Sequence, residues 1–188
     1  MVKVSKLSPG PNAVRTRRAY FDCKFGQLHV RTAFPTTGGF DEQATLFCLH
    51  PVDASGRTFG RFLPELADAR SVYAPDLPGY GESDSSPTGG IADAAVAISD
   101  LAKDLRLRQI DVLGMDYGAA VAVELAIDRP ELVRRLVLVG EHPSDRLPSV
   151  KQPRLSLDVA AYGEHPFDAA PEALAKKIEA FLRGRSRA

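Results

Sequence analysis

The chain has 188 residues, of which 44% are hydrophobic, and its 24 Lys and Arg balance its 24 Asp and Glu. This length supports one domain with a substantial core, and the charge balance gives no sign of a nucleic-acid or anionic-membrane partner. The sequence contains no apolar run of the ~18 residues that span a bilayer, and its N-terminus lacks the apolar segment of a secretory signal. Its two cysteines form neither a disulfide framework nor a metal-ligand spacing. These features predict a soluble, cytoplasmic protein.

Strand-like and helix-like patterns alternate along most of the chain. Residues 1–18 are polar with Pro and Gly, so we expect a flexible arm before a single domain at 19–188. The first predicted element is a hairpin of strands at 19–25 and 28–34, joined at Gly26-Gln27. Further predicted strands cover 44–50, 71–77, 110–116, 134–141 and 154–163, and predicted helices cover 58–69, 91–107, 117–129 and 171–184. This alternation predicts an α/β fold, with a mostly parallel, doubly wound sheet and helices on both faces.

The sharpest predicted corner lies in "IDVLGMDYGAAVAVELA" (110–126), where a strand runs directly into a helix. Asp116 stands at this corner, with Gly114 and Gly118 on either side. Such a turn strains its central residue, requires small neighbours, and lifts one side chain above the sheet beside the amides of a helix N-terminus. "GMDYG" therefore has the form Gly-x-nucleophile-x-Gly, with an aspartate as the nucleophile. An aspartate here is also a good N-cap for the helix, and both interpretations stay open at this point.

Three other stretches have patterns typical of one fold family. They are "LFCLHPVD" (46–53), "YAPDLPGYGESD" (73–84) and "AYGEHPFDAAPEALAKKIEAFL" (161–182). Together with the elbow segment, they make the chain resemble the α/β-hydrolase fold family over about residues 19–141 and 153–183. The aspartate in the nucleophile position is similar to that of the epoxide hydrolases and the haloalkane or haloacid dehalogenases of this fold.

The resemblance implies a hydrolase that acts on a small epoxide, organohalide or activated ester. A carboxylate is already ionised near neutral pH, so Asp116 would attack an alkyl carbon and form an ester. His165, in the loop before the final helix, would activate the water that hydrolyses this ester, and Glu141 would orient His165. The resemblance implies a small-molecule substrate and no metal or other cofactor. The plainer alternatives are that His165 is an exposed loop residue and Glu141 a solvated surface acid.

The oxyanion donors implied by the resemblance are the amides of Tyr117 and Val52. His50, just before Val52, is expected to shape this loop rather than to transfer a proton. Pro51 departs from the family pattern, because it replaces the usual glycine and has no N–H to donate. The chain also contains no Trp, the residue that dehalogenases of this type use to hold the departing halide.

The expected cap domain is missing. Only "HPSDRLPSVKQP" (142–153) joins two predicted strands where family members insert a helical lid, another strand and another helix. The chain therefore resembles a shortened member with an open site, and an uncovered apolar rim favours a homodimer. The last strand is free to pair antiparallel, to pair with another molecule, or to be displaced. The alternative functions are a non-catalytic or engineered minimal scaffold or binding module, and an esterase, lyase or cyclase variant of the fold.

Overall fold

A seven-stranded sheet organises the protein. The structure, a computed structural model, describes residues 15–35, 43–67 and 70–184. The strands are β1 (Arg15–Cys23), β2 (Gly26–Phe34), β3 (Leu46–Leu49), β4 (Val72–Pro75), β5 (Ile110–Met115), β6 (Val133–Val139) and β7 (Arg154–Leu157). Their order is β1-β2-β4-β3-β5-β6-β7. Strand β2 pairs antiparallel with β1 on one side and with β4 on the other. From β4 onward in this order, each strand pairs in parallel with the next. The mostly parallel sheet confirms the predicted fold class.

Helices cover both faces of this sheet. They are α1 (Leu63–Leu66), α2 (Ile91–Asp104), α3 (Tyr117–Asp128), α4 (Pro166–Ala169) and α5 (Pro171–Arg183). The core on one face holds the apolar sides of α2 and α3, and the core on the other face holds those of α1, α4 and α5. Neighbouring strand residues divide between these cores, as Val112 and Leu113 do. No helix in the described ranges has both the length and the apolar character needed to cross a membrane.

The connection from β6 to β7 crosses the α2–α3 face without an α-helix. Val150 is buried in the core on that face, after a 3-10 turn at Leu147–Ser149. The side-chain amide of Gln152 donates to the carbonyl oxygens of Ala126 and Pro130, at 3.1 and 3.2 Å. These contacts take the place of the helix that a parallel crossover ordinarily uses. The last strand therefore pairs within the chain, in parallel with β6.

Two predicted elements are shorter than expected. The helix predicted at 58–69 is replaced by a 3-10 turn at Gly56–Phe59 and the single turn of α1. Pro64 has no N–H to donate, so it fits only the first turn of a helix. It occupies the first turn of α1, and a helix that began at residue 58 could not continue past it. The strand predicted at 154–163 ends at Leu157. Beyond it, Asp158 accepts a hydrogen bond from the amide of Ala160 at 2.9 Å, which turns the chain into a 3-10 segment.

The first hairpin also differs in detail from the prediction. Its turn lies at residues 24–25, and Gly26 already begins β2 with a φ of 127°, a value that favours glycine. Strand β1 begins at Arg15, so residues 15–18 of the predicted arm belong to the sheet. The remainder of that arm, residues 1–14, lies outside the described residues.

A network of buried ion pairs connects the segments at the amino-terminal ends of the parallel strands, which we call the amino-terminal edge of the sheet. Arg70, just before β4, is fully buried and donates to Asp111 of β5 at 3.0 Å and to Glu179 of α5 at 2.9 Å. Arg134 of β6 donates to the same Asp111 carboxylate at 2.8 Å. This network anchors the final helix to the sheet at the edge opposite the elbow.

Candidate active site

The elbow at Asp116 has the strained geometry that the sequence predicts. Asp116 lies between β5 and α3 with φ 49° and ψ −108°, a left-handed conformation that is unusual for a residue with a side chain. Its backbone is held on both sides, because its amide donates to the carbonyl oxygen of Val139 at 3.0 Å and its own carbonyl oxygen accepts from Ala119 at 2.9 Å. Surroundings that fix a residue in this way allow such strain to persist.

The positions around Asp116 require glycine, because neighbouring atoms approach the backbone too closely to leave room for a side chain. A Cβ atom on Gly114 would lie 2.3 Å from the carbonyl oxygen of Gly118, and one on Gly118 would lie 2.2 Å from that of Leu49. Neither atom could be accommodated without moving backbone. A third glycine belongs to the site, because a Cβ atom on Gly140 would lie 2.2 Å from Asp116 Oδ1. The elbow pattern in the sequence includes the first two glycines, whereas Gly140 lies outside it and only the structure places it at the site.

The Asp116 carboxylate does not cap helix α3. It makes no side-chain capping hydrogen bond, and instead Oδ1 accepts the N–H of Glu141 at 2.8 Å. The N-cap interpretation is therefore wrong for this structure. One oxygen of the carboxylate is held by a backbone donor, and no donor in the described part of the chain hydrogen-bonds to Oδ2.

Asp116 opens into a cavity of about 770 Å³ at the carboxyl ends of β5, β6 and β7. The apolar part of its lining comes from Met115, Leu157, Val159 and Ala160. The ionisable side chains in the lining are four carboxylates and one imidazole, from Asp116, Glu141, Asp158, Glu164 and His142. Among these described lining residues there is no Lys or Arg. The cavity thus combines a fixed carboxylate, an apolar wall and a negatively charged rim.

His165 lies in a neighbouring cavity and not in that of Asp116. The second cavity, of about 570 Å³, is lined by His165 together with Asp76, Arg57, Glu82 and other residues. His165 is exposed, precedes α4, and its side chain makes no capping hydrogen bond to that helix. Its sequence neighbour Glu164 is the residue that reaches the Asp116 cavity. The structure therefore brings Asp116 and Glu141 to one cavity and leaves His165 beside it.

His50 is a structural residue, as the sequence predicts. It is completely buried, its Nδ1 donates to the carbonyl oxygen of Pro51 at 2.8 Å, and its Nε2 accepts the N–H of Leu77 at 2.8 Å. Burial lowers the pKa of this imidazole, because burial disfavours the charged ring. With both ring nitrogens occupied, His50 fixes the loop after β3 to the loop after β4.

The two residues predicted to donate to an oxyanion, Tyr117 and Val52, follow the elbow and strand β3 respectively. Tyr117 is the first residue of α3, so its amide has no partner within the helix. Its half-buried ring packs against Tyr80 at a centroid distance of 5.9 Å, and burial raises the pKa of its hydroxyl. Val52 is exposed in the turn after His50, where Asp53 has a φ of 55°.

A buried pair that was not predicted from the sequence lies beside the second cavity. His29 Nδ1 lies 3.0 Å from Asp76 Oδ2, and the same carboxylate accepts the amides of Gly56 at 2.7 Å and Glu82 at 2.9 Å. His29 falls in a half-buried hairpin strand, where a histidine is easily taken for a surface residue. The signal for Asp76 was its place directly after the parallel strand β4, at the edge where binding groups collect. The pair holds the loops that surround the second cavity.

Comparison with known proteins agrees with this architecture. Residues 46–187 match the model of the alpha/beta hydrolase family. The chain belongs to that family. The matched range contains the elbow, its helix and the final helix, so the resemblance predicted from the sequence is confirmed at the level of family and fold.

Its relatives include hydrolases of more than one kind. The 2-hydroxymuconate semialdehyde hydrolase of Pseudomonas sp. (strain CF600) is 41% identical over 83 residues, which are 42% of this chain and 28% of that enzyme. The soluble epoxide hydrolase of Corynebacterium sp. (strain C12) is 33% identical over 99 residues, 52% of this chain and 35% of that enzyme. The chain thus spans about a third of the length of these relatives. Among solved structures, the epoxide hydrolase CorEH superposes with a TM-score of 0.60 at 25% identity, over 90% of this chain and 59% of that one.

Proposed function

We propose that this alpha/beta hydrolase acts through a covalent ester on Asp116. The observation that carries the proposal is the carboxylate itself, which stands on a strained elbow, caps no helix, and faces an open cavity with one oxygen held by the Glu141 amide. A side chain that only stabilised the helix would occupy the capping position. The aspartate also stands where the resemblance to epoxide hydrolases places a nucleophile.

The reaction proceeds in two steps. In the first, Oδ2 of Asp116 attacks an alkyl carbon and forms a C–O bond, while the carbon loses a halide ion or an epoxide oxygen, which takes a proton from water. In the second, a histidine-activated water attacks the carboxyl carbon of the ester, the alkyl oxygen leaves with one proton of that water, and the carboxyl group releases the other to solvent, which regenerates the Asp116 carboxylate. The oxyanion of this second step forms on Oδ1, which already accepts the Glu141 N–H, and the amides of Tyr117 and Val52 are the further donors that the resemblance implies.

The lining of the cavity favours an uncharged or cationic substrate. Three carboxylates accompany Asp116, from Glu141, Asp158 and Glu164, and no described lining residue offsets them with a positive charge. An anionic molecule would be repelled as it approached. The apolar residues of the same wall suit the carbon skeleton of a small epoxide, organohalide or activated ester. A small neutral epoxide is therefore the substrate to test first.

Isotope incorporation tests the covalent step directly. The protein is allowed many turnovers of a small neutral epoxide in oxygen-18 water, digested, and the mass of the peptide containing Asp116 is measured. We expect labelled oxygen in that peptide, because water attacks the carboxyl carbon and leaves its oxygen in the side chain. Diol formation without label in Asp116 would show that water attacks the epoxide directly, which contradicts the proposal.

Asp116→Asn provides the matching loss of function. We expect turnover to fall to the background rate, because an amide is not a nucleophile towards alkyl carbon. Asp128→Asn, at the far end of the same helix, is the control and should retain turnover. Retained turnover in the Asp116 variant would exclude the covalent role.

One observation favours a second candidate, a non-catalytic binding module on this scaffold. His165 and Asp116 line different cavities, and no hydrogen bond joins the two side chains in the described part of the chain. A binding module would show neither turnover nor label with any epoxide, halide or activated ester. Asp116→Asn would then bind the same ligands as the unmodified chain.

A further inference from the structure

The position of His165 leaves a specific question about the second step. If Asp116 forms an ester, some group near it has to accept a proton from water. The chain has four histidines. His29 and His50 are buried and bonded to Asp76, Pro51 and Leu77, so neither is available to the Asp116 cavity.

His142 lies in the cavity of Asp116. It follows β6 by three residues and lines the same cavity as the carboxylate. The preceding amide, that of Glu141, lies 2.8 Å from Asp116 Oδ1, so the length of one residue keeps the His142 Cα within about 8 Å of that oxygen. A water held between the imidazole and an ester on Asp116 is compatible with this separation.

The hydrogen bond at its other nitrogen prepares His142 to accept a proton. Nδ1 of His142 lies 3.0 Å from the carbonyl oxygen of Gly140. A carbonyl oxygen only accepts, so Nδ1 carries the hydrogen and donates it. In the neutral ring, Nε2 then holds the free lone pair. The ring is half-buried, which leaves it open to water from the cavity.

We propose that His142, rather than His165, is the general base that hydrolyses the Asp116 ester. This assignment rests on the proposed function. His142 Nε2 takes a proton from water as the water oxygen bonds to the carboxyl carbon of Asp116. The bond between that carbon and the alkyl oxygen then breaks, and the proton on Nε2 passes to the departing oxygen, which restores the neutral ring. The Asp116 carboxyl group keeps the second proton of the water and releases it to solvent, which restores the carboxylate.

Gly140 and Glu141 connect the base to the nucleophile. The Glu141 N–H holds Asp116 Oδ1 and the Gly140 carbonyl holds His142 Nδ1, so one three-residue segment orients both groups. This gives Glu141 a positioning role through its backbone. The proposed segment also explains why residue 140 is a glycine, since a Cβ there would collide with Asp116.

A matched pair of variants tests the assignment. His142→Asn keeps an N–H donor near the position of Nδ1 and removes Nε2, and His165→Asn makes the same change in the neighbouring cavity. Each protein is mixed with a small neutral epoxide, quenched at intervals, and weighed intact by mass spectrometry. We expect His142→Asn to accumulate the alkyl adduct, with ester hydrolysis slowed about 10²–10⁴-fold, while His165→Asn turns over like the unmodified chain.

The kinetics distinguish a base from a structural residue. Loss of a base slows hydrolysis and leaves the rate of adduct formation unchanged, whereas a displaced Asp116 would slow both. Circular dichroism and the urea midpoint confirm that each variant is folded. Adduct accumulation in His165→Asn alone would overturn the assignment while supporting the ester on Asp116. Adduct formation in neither variant, together with no labelled Asp116 in the unmodified chain, would overturn the proposed function and the assignment with it.

Discussion

The two edges of the sheet differ in how their charges are arranged. At the amino-terminal edge, the buried Asp111 carboxylate contacts the guanidinium groups of Arg70 and Arg134, and Arg70 also contacts Glu179. At the carboxyl edge, Asp116 and three neighbouring carboxylates line an open cavity without a described cationic partner. Opposite charges thus compensate one another in the Asp111 network, and like charges are gathered in the Asp116 cavity.

The backbone of the elbow is strained as well. Asp116 has a positive φ, which a residue with a side chain adopts only at a cost in free energy. Conformations of this kind persist where the rest of the fold holds them in place. At the elbow, the hydrogen bonds from the Asp116 amide to Val139 and from the Ala119 amide to the Asp116 carbonyl oxygen supply this support. Each edge can be altered separately, which makes the division testable.

Asp111→Ala should produce the largest loss of stability. The substitution leaves the fully buried Arg70 without one of its acidic partners and removes the partner of Arg134. Removing one member of a buried ion pair costs about 3–5 kcal/mol, because the remaining charge stays out of water. Urea denaturation measures this loss, and the exposed Asp104→Ala is the control, with a change within about 0.5 kcal/mol. An equal effect for both variants would show that the network contributes nothing specific.

Gly140→Ala should disturb the carboxyl edge in a different way. The new Cβ atom would lie 2.2 Å from Asp116 Oδ1, so the carboxylate has to leave its place at the Glu141 amide. We expect the free energy of unfolding to fall by about 1–3 kcal/mol because of the positive φ, and turnover to fall at least tenfold because the carboxylate is displaced. Both quantities are measured on the same purified variant.

Gly89→Ala separates the loss of stability caused by a positive φ from the loss of turnover caused by displacement of the Asp116 carboxylate. Gly89 also has a positive φ, of 64°, but a Cβ atom there would meet nothing within 4 Å. It should lose a similar amount of stability and retain full turnover. If both glycine variants retain turnover, the position of the Asp116 carboxylate does not matter for activity.

The sequence predicted the elements whose patterns are local and repeated. Helices α2 and α5 have regular apolar spacing, α3 is apolar along most of its length, and the elbow pattern is visible in Gly114 and Gly118 beside Asp116. The helix predicted at 58–69 was too long compared with α1. The apolar spacing continues on both sides of Pro64, although a helix cannot continue through a proline. The length of the last predicted strand depended on the turn at Asp158, which apolar pattern does not reveal.

The site was only partly predictable because it depends on contacts between distant segments. Asp116 was found from its own neighbours in the sequence. His165 was placed by resemblance to proteins with a longer connection between β6 and β7, and a shorter connection changes what lies at that edge. His142 has no distinguishing sequence pattern, and only the structure shows which cavity its segment enters.

His50 predicts how stability responds to pH. Burial lowers its pKa in the folded state, so between that value and the unfolded value of about 6.5 the unfolded chain binds more protons. Stability from the neutral ring is therefore complete above about pH 6.5 and is lost as the pH falls below it, at no more than about 1.4 kcal/mol per pH unit. Urea titrations at several pH values should show a shallower dependence for His50→Asn than for His142→Asn. Equal slopes would exclude His50 as the source.

Asp116→Gly should make the protein more stable while it abolishes turnover. The observed φ of 49° and ψ of −108° lie close to those of the first central residue of a type II′ turn, a position that glycine occupies without strain. Relief of the strain should exceed the loss of one hydrogen bond from the Glu141 amide, and removal of one of four clustered carboxylates adds to the gain, so we expect about 1 kcal/mol more stability. Asp116→Asn is the control, because it removes the charge and retains the strain, so comparison of the two urea midpoints isolates the backbone contribution. A glycine variant no more stable than the asparagine variant would mean that the elbow stores no strain, and the contrast between the two edges would then rest on charge alone.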